Sequence, residues 1–285
     1  MNSTNLIDYS YYKSTKDKGN YNLYRLVKKI NFLLEKKEGF VVLKNFQINT
    51  NNLKITKIRY ENFLKNFGKL EIQNKKKEKI AEVINKGKKW SAHNRGYITN
   101  AYIPFHTDGG TIAALLCINN SSKGGHSIIT QSRKIYITLK KKYPKLLQIL
   151  KEGFHYHTRG EKTNNDNKQI SKKKYPVFFH KNRRLHCMFN KKPIVWALKN
   201  IKGKINSKTK KALDTFEKLS NRRKNMYRFK LNSGDMLIYN NFKVLHGREK
   251  FNDLKKKKRL ILRAWIKSKN TKYSGLNLLD AYMDR

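Results

Sequence analysis

Acidic residues are scarce in this chain: 19 Asp+Glu stand against 66 Lys+Arg over 285 residues, a formal net charge of +47 at pH 7. Cysteine and proline are scarcer still, at 2 and 4. Cys117 and Cys187 can make neither a disulfide framework nor a zinc cluster, and both read as core residues. Long apolar runs are missing as well. The longest, "IAALLCI" at 112–118, is far too short to cross a bilayer. The first twenty residues show no charged-then-apolar leader. The expectation is a cytoplasmic protein without a membrane partner. Hydrophobic residues at 38% and aromatics at 12% set the chain apart from disordered sequences. Its length suffices for a large core in one domain, or at most two.

The charge has two readings. One is a nucleic-acid or anionic-membrane partner. The other is base composition: 52 of the 66 cations are Lys, and the chain is also rich in Asn and Ile, all with AT-rich codons. The lysines are spread over "KKKEK" (75–79), "KKKYPK" (140–145), "SKKKYP" (171–176) and "KKKK" (255–258). A nucleic-acid module gathers its cations on one element and favours Arg. The second reading therefore leads, and no specific nucleic acid is expected.

Along the chain, 1–20 reads as a loosely held arm. Residues 21–37 carry Leu23, Leu26, Val27, Ile30, Leu33 and Leu34 at helical spacing, and Gly39 is a stop signal. A buried strand is predicted over 40–46 and a second helix over 52–67. The Lys-rich stretch 72–89 suits either helix or exposed loop. From 97 the pattern turns to short strands, including "TIAALLCIN" and "HSIITQS". Residues 133–151 are helical around Pro144, with Ser132 as N-cap. Residues 153–200 have no regular period. A further helix covers 207–221, and the last part is β again. Strands before and after a partly helical segment suit a β-sandwich or jelly roll decorated by helices.

Chemistry concentrates at "PFHTDGG" (104–110). His106 and Asp108 alternate onto one face of a strand. That pair is two-thirds of a metal site, one-third of a catalytic triad, or a plain core hydrogen bond. His246 stands out among the eight histidines, because "NNFKVLHGREKF" follows a turn and a strand. A jelly roll can bring it to His106, and two His with one carboxylate form the facial triad of non-haem Fe(II) oxygenases. Arg259 and Arg263 lie four apart in the apolar strand "RLILRAW", where buried guanidinium groups demand anionic ligands.

These motifs resemble the taurine dioxygenase/TfdA-like family of Fe(II)/2-oxoglutarate oxygenases. The resemblance rests on "FHTDGG" (105–110), "SKGGHSIITQS" (122–132) and "GDMLIYNNFKVLHGREKF…RLILRAWI" (234–266). It extends more loosely to 39–46 and 141–150. It implies a double-stranded β-helix, mainly β with N-terminal helices, forming one domain over 21–285 with an insertion at about 133–230. It implies Fe(II) on His106, Asp108 and His246. It implies that Arg259 and Ser127 hold the distal carboxylate of 2-oxoglutarate and that Arg263 contacts an acidic group of a small substrate. O2 is the further co-substrate, and succinate and CO2 are released as the substrate is oxidised, most simply by hydroxylation. Asn94 corresponds to a polar residue near the metal, without a fixed alignment. A homo-oligomer is compatible with the family.

Other readings stand beside this one. Arg248 either binds cofactor or supports its loop. His126 alternates to the opposite strand face from Ser127. His155 and His157 have HxH spacing but no third ligand nearby. An AlkB-type nucleic-acid demethylase would share the iron and 2-oxoglutarate, but it spaces its paired arginines differently. A β-sandwich binding protein with a decayed site would have lost a ligand, and none is missing here.

Overall fold

The computed structural model describes residues 5–10, 19–91, 94–159, 169–253, 258–269 and 271–283. Its strands are β1 (Leu6–Asp8), β2 (Phe40–Lys44), β3 (Gly68–Leu70), β4 (Ile80–Ile84), β5 (Ile103–His106), β6 (Ile112–Asn119), β7 (Lys123–Gly124) and β8 (Ser127–Gln131). They continue with β9 (Phe178–Lys181), β10 (Arg184–Cys187), β11 (Met226–Phe229), β12 (Met236–Asn240), β13 (Val244–Arg248), β14 (Phe251–Asn252) and β15 (Leu260–Ser268). The helices are α1 (Gly19–Lys36), α2 (Leu53–Lys65), α3 (Ser132–Lys142), α4 (Pro144–Glu152), α5 (Lys191–Lys202), α6 (Ser207–Ser220) and α7 (Leu278–Met283).

Two sheets face each other. The larger runs β1-β2-β12-β6-β15, with β3 and β4 both pairing along the far side of β15. The smaller runs β11-β8-β13-β5. Period-2 alternation makes each strand of the large sheet serve two cores. In β2, Val41 and Leu43 pack under α1 and α2, while Phe40 and Val42 face the small sheet. In β6, Ala114 and Leu116 face the helices and Ala113 and Cys117 the sheet interior. Continuous apolar runs such as "IAALLCI" follow from burial on both faces. The outer side of the small sheet is covered by α3, α4, α5 and α6, whose Ile135, Leu150, Ile194 and Phe216 share one core with Phe105 and Leu245. The result is the jelly roll expected from the sequence, with helices on both outer faces.

Several local expectations change. Leu6–Asp8, inside the arm read as loosely held, pairs in parallel with β2. The rest of that arm, 1–4 and 11–18, lies outside the described residues, as do 255–257 of the "KKKK" run. The 72–89 stretch contains strand β4, whose alternating buried positions were hidden by flanking lysines. Ser132 does not cap α3; its hydroxyl donates to Lys243 O and Phe242 O instead. The segment after Pro144 is a separate helix, α4, broken from α3 at Tyr143 because proline disfavours helical backbone before it. β11 already belongs to the small sheet, so the helical part of the insertion ends before Met226.

Candidate active site

The antiparallel pairing of β13 with β5 puts His246 directly opposite His106, and the register shifts between His246 and Arg248. Such bulges re-aim side chains beside active sites. The two imidazole centroids are 4.3 Å apart. Asp108 follows on the turn after β5, with its Oδ2 3.2 Å from His246 Nε2 and its Oδ1 3.9 Å from His106 Nε2. One ligand atom from each residue lies within 4.8 Å of the others. Among the described residues this is the one cluster of three or more such groups.

The turn is held from behind. Asn241, just after β12, accepts the Asp108 N–H at 2.7 Å and donates its amide to the carbonyls of Asp108 and Gly110 at 2.5 and 3.1 Å. Gly110 takes φ +72°, which closes the turn at no steric cost. The Tyr239 hydroxyl donates to Asp108 Oδ2 at 2.8 Å. Arg263 Nη1 lies 3.5 Å from Asp108 Oδ1. Burial by itself pushes the Asp108 carboxyl up, but Arg263 and the two histidines outweigh it and hold it well below the usual carboxylate range. Burial, and next His246, push the His106 imidazole down to about 3. Both groups are thus unprotonated at neutral pH, as metal ligands must be.

The donor set fits a divalent iron. His106 Nδ1 lies 2.9 Å from Pro104 O, which fixes the Nδ1–H tautomer and leaves Nε2 as the lone-pair donor. His246 Nε2 is buried, lies 3.2 Å from Asp108 Oδ2 and makes no well-aligned hydrogen bond among the described residues. Two imidazoles and one carboxylate on one side leave further positions for exogenous ligands.

A chamber opens over this cluster. It is lined by His106, Asp108 and His246 together with Ser127, Arg248, Arg259 and Arg263. Ser127 pairs in register with Arg248. The Arg248 and Arg259 guanidinium groups both lie on the Phe251 ring, at 4.6 and 5.2 Å from its centroid. Arg248 donates to Thr99 O and Ala101 O, while its Nε and Nη1, and Nε and Nη1 of Arg259, have no hydrogen-bond partner among the described residues. Burial pushes Arg248 down to about 9 and Arg259 to about 10, so both stay charged at neutral pH in a place that favours an anion. Arg263 donates from Nε to Gln73 Oε1 at 2.8 Å and stacks between Tyr97 and Trp265.

The remaining candidates fall elsewhere. Asn94 donates its backbone N–H to the Ser91 hydroxyl oxygen and does not line the chamber. His126 meets Glu249 at 3.0 Å on the outer face. His155 lies 2.8 Å from Ser171 O, and His157 accepts the Arg159 N–H, so neither joins a metal cluster. Cys117 and Cys187 are buried core residues, as expected, and form no disulfide among the described residues. Tyr239, Asn241, Gln73, Arg159 and Lys192 are site residues that sequence reasoning missed. Asn241 reads only as a turn residue in "YNNF", because its partners lie more than a hundred residues upstream.

Fold and cluster together define a jelly-roll protein with a two-His-one-carboxylate site of the non-haem iron type. The chain belongs to the taurine catabolism dioxygenase TauD, TfdA family, whose family model matches residues 20–265. It is 30% identical over 197 residues to FR-33289 synthase of Streptomyces rubellomurinus, covering 65% of this chain and 55% of that protein. It is 27% identical over 168 residues to the taurine hydroxylase-like protein SAT17 of Stachybotrys chartarum, covering 55% and 41%. The chain thus spans about half the length of these relatives. Among solved structures, asparagine oxygenase shares the fold with a TM-score of 0.66 at 11% identity over 93% of each chain. The non-heme iron oxygenase OrfP, solved with Fe and alpha-ketoglutaric acid, gives 0.57 at 13% identity, covering 87% of this chain and 84% of that one. No helix among the described residues is long and apolar enough to cross a membrane.

Proposed function

We propose that the chain is an Fe(II)- and 2-oxoglutarate-dependent dioxygenase that oxidises a small acidic metabolite. The observation that carries this reading is the His106–Asp108–His246 cluster, with Asp108 and His246 buried, opening into a chamber walled by Arg259 and Ser127. His106, Asp108 and His246 would hold the iron. Arg259 and Ser127 would hold the distal carboxylate of 2-oxoglutarate, since a buried guanidinium with unfilled donors suits a carboxylate. Bound together, iron and 2-oxoglutarate supply an O2-dependent two-electron oxidation of a substrate C–H bond, with release of succinate and CO2. The chain's own part is positional. Asn241 and Tyr239 fix the Asp108 turn, Arg263 neutralises the carboxylate from behind, and Trp265 and Tyr97 keep water from that side. Arg263 keeps one donor, Nη2, for a substrate acid. The family match supports this reading over an AlkB-type demethylase. A cytoplasmic location is part of this reading, since Cys117 and Cys187 form no disulfide with each other.

The test is anaerobic. Fe(II) and 2-oxoglutarate are added to the purified protein, and the weak visible charge-transfer band is sought. A band in the wild type that is absent in His246→Ala is the expected result. No band in well-folded wild-type protein would overturn the reading.

A further inference from the structure

Asp108 is the one acidic side chain among the described residues that line the chamber, and it is committed to the metal cluster and to Arg263. Arg248 and Arg259 line the same chamber and are buried, yet among the described residues neither guanidinium is bonded to a carboxylate. Asp253 spends its two oxygens elsewhere, accepting the Arg259 backbone N–H at 2.8 Å and the Asn85 amide at 3.4 Å. Two buried cations without a counter-ion are costly unless a ligand supplies one.

The two arginines reach the chamber from opposite sheets. Arg248 stands two residues beyond His246 on β13, and these two pair with Ser127 and Ile129 of β8, so Ser127, His246 and Arg248 share one face of the small sheet. Arg259 immediately precedes β15 and has the parity of Ile261, which packs in the core between the sheets. The Phe251 ring ties the pair together, with its centroid 4.6 Å from Arg248 Cζ and 5.2 Å from Arg259 Cζ. Gly125, two residues before Ser127, leaves room for this arrangement: a Cβ there would come within 3.3 Å of Phe251 Cβ and 3.4 Å of Arg259 Nε. Support of the neighbouring loop uses one nitrogen of Arg248, since Nη2 donates to Thr99 O at 2.8 Å and to Ala101 O at 2.6 Å. Its Nε and Nη1 are left without a partner among the described residues. A carboxylate offers about four acceptor sites, enough for two guanidinium groups and one hydroxyl, and its charge offsets both cations.

We infer that Arg248 is a second arginine for the distal carboxylate of 2-oxoglutarate, which is thereby clamped between guanidinium groups of opposite sheets with the Ser127 hydroxyl beside them. This deepens the oxygenase reading and rests on it. The clamp is a discriminator. A 2-oxo acid with an apolar tail leaves two buried cations unpaired, a penalty that the diacid does not meet. Because Arg248 and His246 stand on one strand, β13 also sets the spacing between the metal cluster and the far end of the co-substrate.

The test compares 2-oxoglutarate with 2-oxovalerate, which carries a methyl group in place of the distal carboxylate. Each is titrated into the full chain with Fe(II) under anaerobic conditions, and the visible charge-transfer band gives the half-saturation. The wild type is expected to bind 2-oxoglutarate about a hundredfold or more tighter, the gain from two charge-assisted contacts. In Arg248→Gln, 2-oxoglutarate weakens about tenfold or more, while 2-oxovalerate stays within about twofold of wild type. A residue that only supports its loop would weaken both acids together or neither. Either result, in a variant with wild-type circular dichroism, overturns the clamp. Should Arg248→Gln fail to fold, Arg248→Lys decides, because it keeps a cation for the Thr99 and Ala101 carbonyls and loses the planar fork. There 2-oxoglutarate is expected to weaken about threefold or more with 2-oxovalerate unchanged, and wild-type binding of both overturns the clamp. A wild-type preference below about tenfold overturns the clamp together with the Arg259 assignment. A wild type that gives no band with 2-oxoglutarate overturns the oxygenase reading, and the clamp falls with it.

Discussion

His246 faces His106 directly across the β5–β13 pair, although 140 residues separate them in the chain. A slip of one residue in that pairing would turn one imidazole to the opposite face of the sheet. The metal cluster is therefore a direct readout of strand register. His246→Ala removes one of the three proposed protein ligands and is expected to abolish stoichiometric Fe(II) binding. Calorimetry with Fe(II) under anaerobic conditions checks this, and unchanged stoichiometry and affinity would remove His246 from the site.

Arg259→Ala tests the proposed 2-oxoglutarate pocket. Arg259 is 5% exposed and its guanidinium carries donors unfilled among the described residues, so a carboxylate bound there gains a charge-assisted pair. Loss of that pair costs about 1.5–3 kcal/mol, a weakening of 2-oxoglutarate on the order of ten- to a hundredfold. Ser127→Ala is expected to cost about 1 kcal/mol, as a neutral hydroxyl does. Displacement of 2-oxoglutarate by N-oxalylglycine gives both numbers. Wild-type affinity in Arg259→Ala would refute its assignment.

Asn241→Ala strips the clamp from the Asp108 turn. It orphans the Asp108 N–H and removes the donor shared by the neighbouring carbonyls, all buried. A destabilisation of about 2–3 kcal/mol is expected in urea unfolding. Metal affinity is expected to fall roughly ten- to a hundredfold, as for other outer supports of a ligand. A destabilised protein that binds metal as tightly as wild type would show that the clamp serves the fold alone.

Gly109→Ala is a steric test of the same turn. A Cβ there would come within 2.6 Å of Leu279 Cγ and 2.7 Å of Trp265 Cε3. Overpacking of about 1–3 kcal/mol is expected, together with displacement of α7 or of the Trp265 ring. The near-ultraviolet circular dichroism of the tryptophans reads the second effect. A variant with wild-type stability and spectrum would mean that α7 yields without resistance.

Much of this was legible in the chain because apolar pattern and chemistry agreed. The two-sided burial of β6 and β12 shows as unbroken apolar runs, and His106, Asp108 and His246 sit where those runs end. What stayed hidden had tertiary causes. β4 carries an "IAEVI" alternation, but it lies beside "KKKEK", which suits a loop as well. The β9–β10 hairpin turns at Asn182 and Arg183, both at positive φ, without the glycine that usually marks such a turn. Ser132 precedes a helix, yet its hydroxyl is drawn to carbonyls of the β12–β13 connection. Arg159 and Lys192 could not stand out among 66 cations.

The separation of the two histidines also bears on biosynthesis. A chain made from its N-terminus presents His106 and Asp108 long before β13 exists. β6 likewise waits for both of its neighbours, β12 and β15, which come late in the sequence. Such long-range pairings form slowly. A nascent or truncated chain therefore offers iron two ligands in an unclosed sheet. The complete ligand set arises only once translation has passed His246, which keeps a redox-active ion from settling on an unfinished protein.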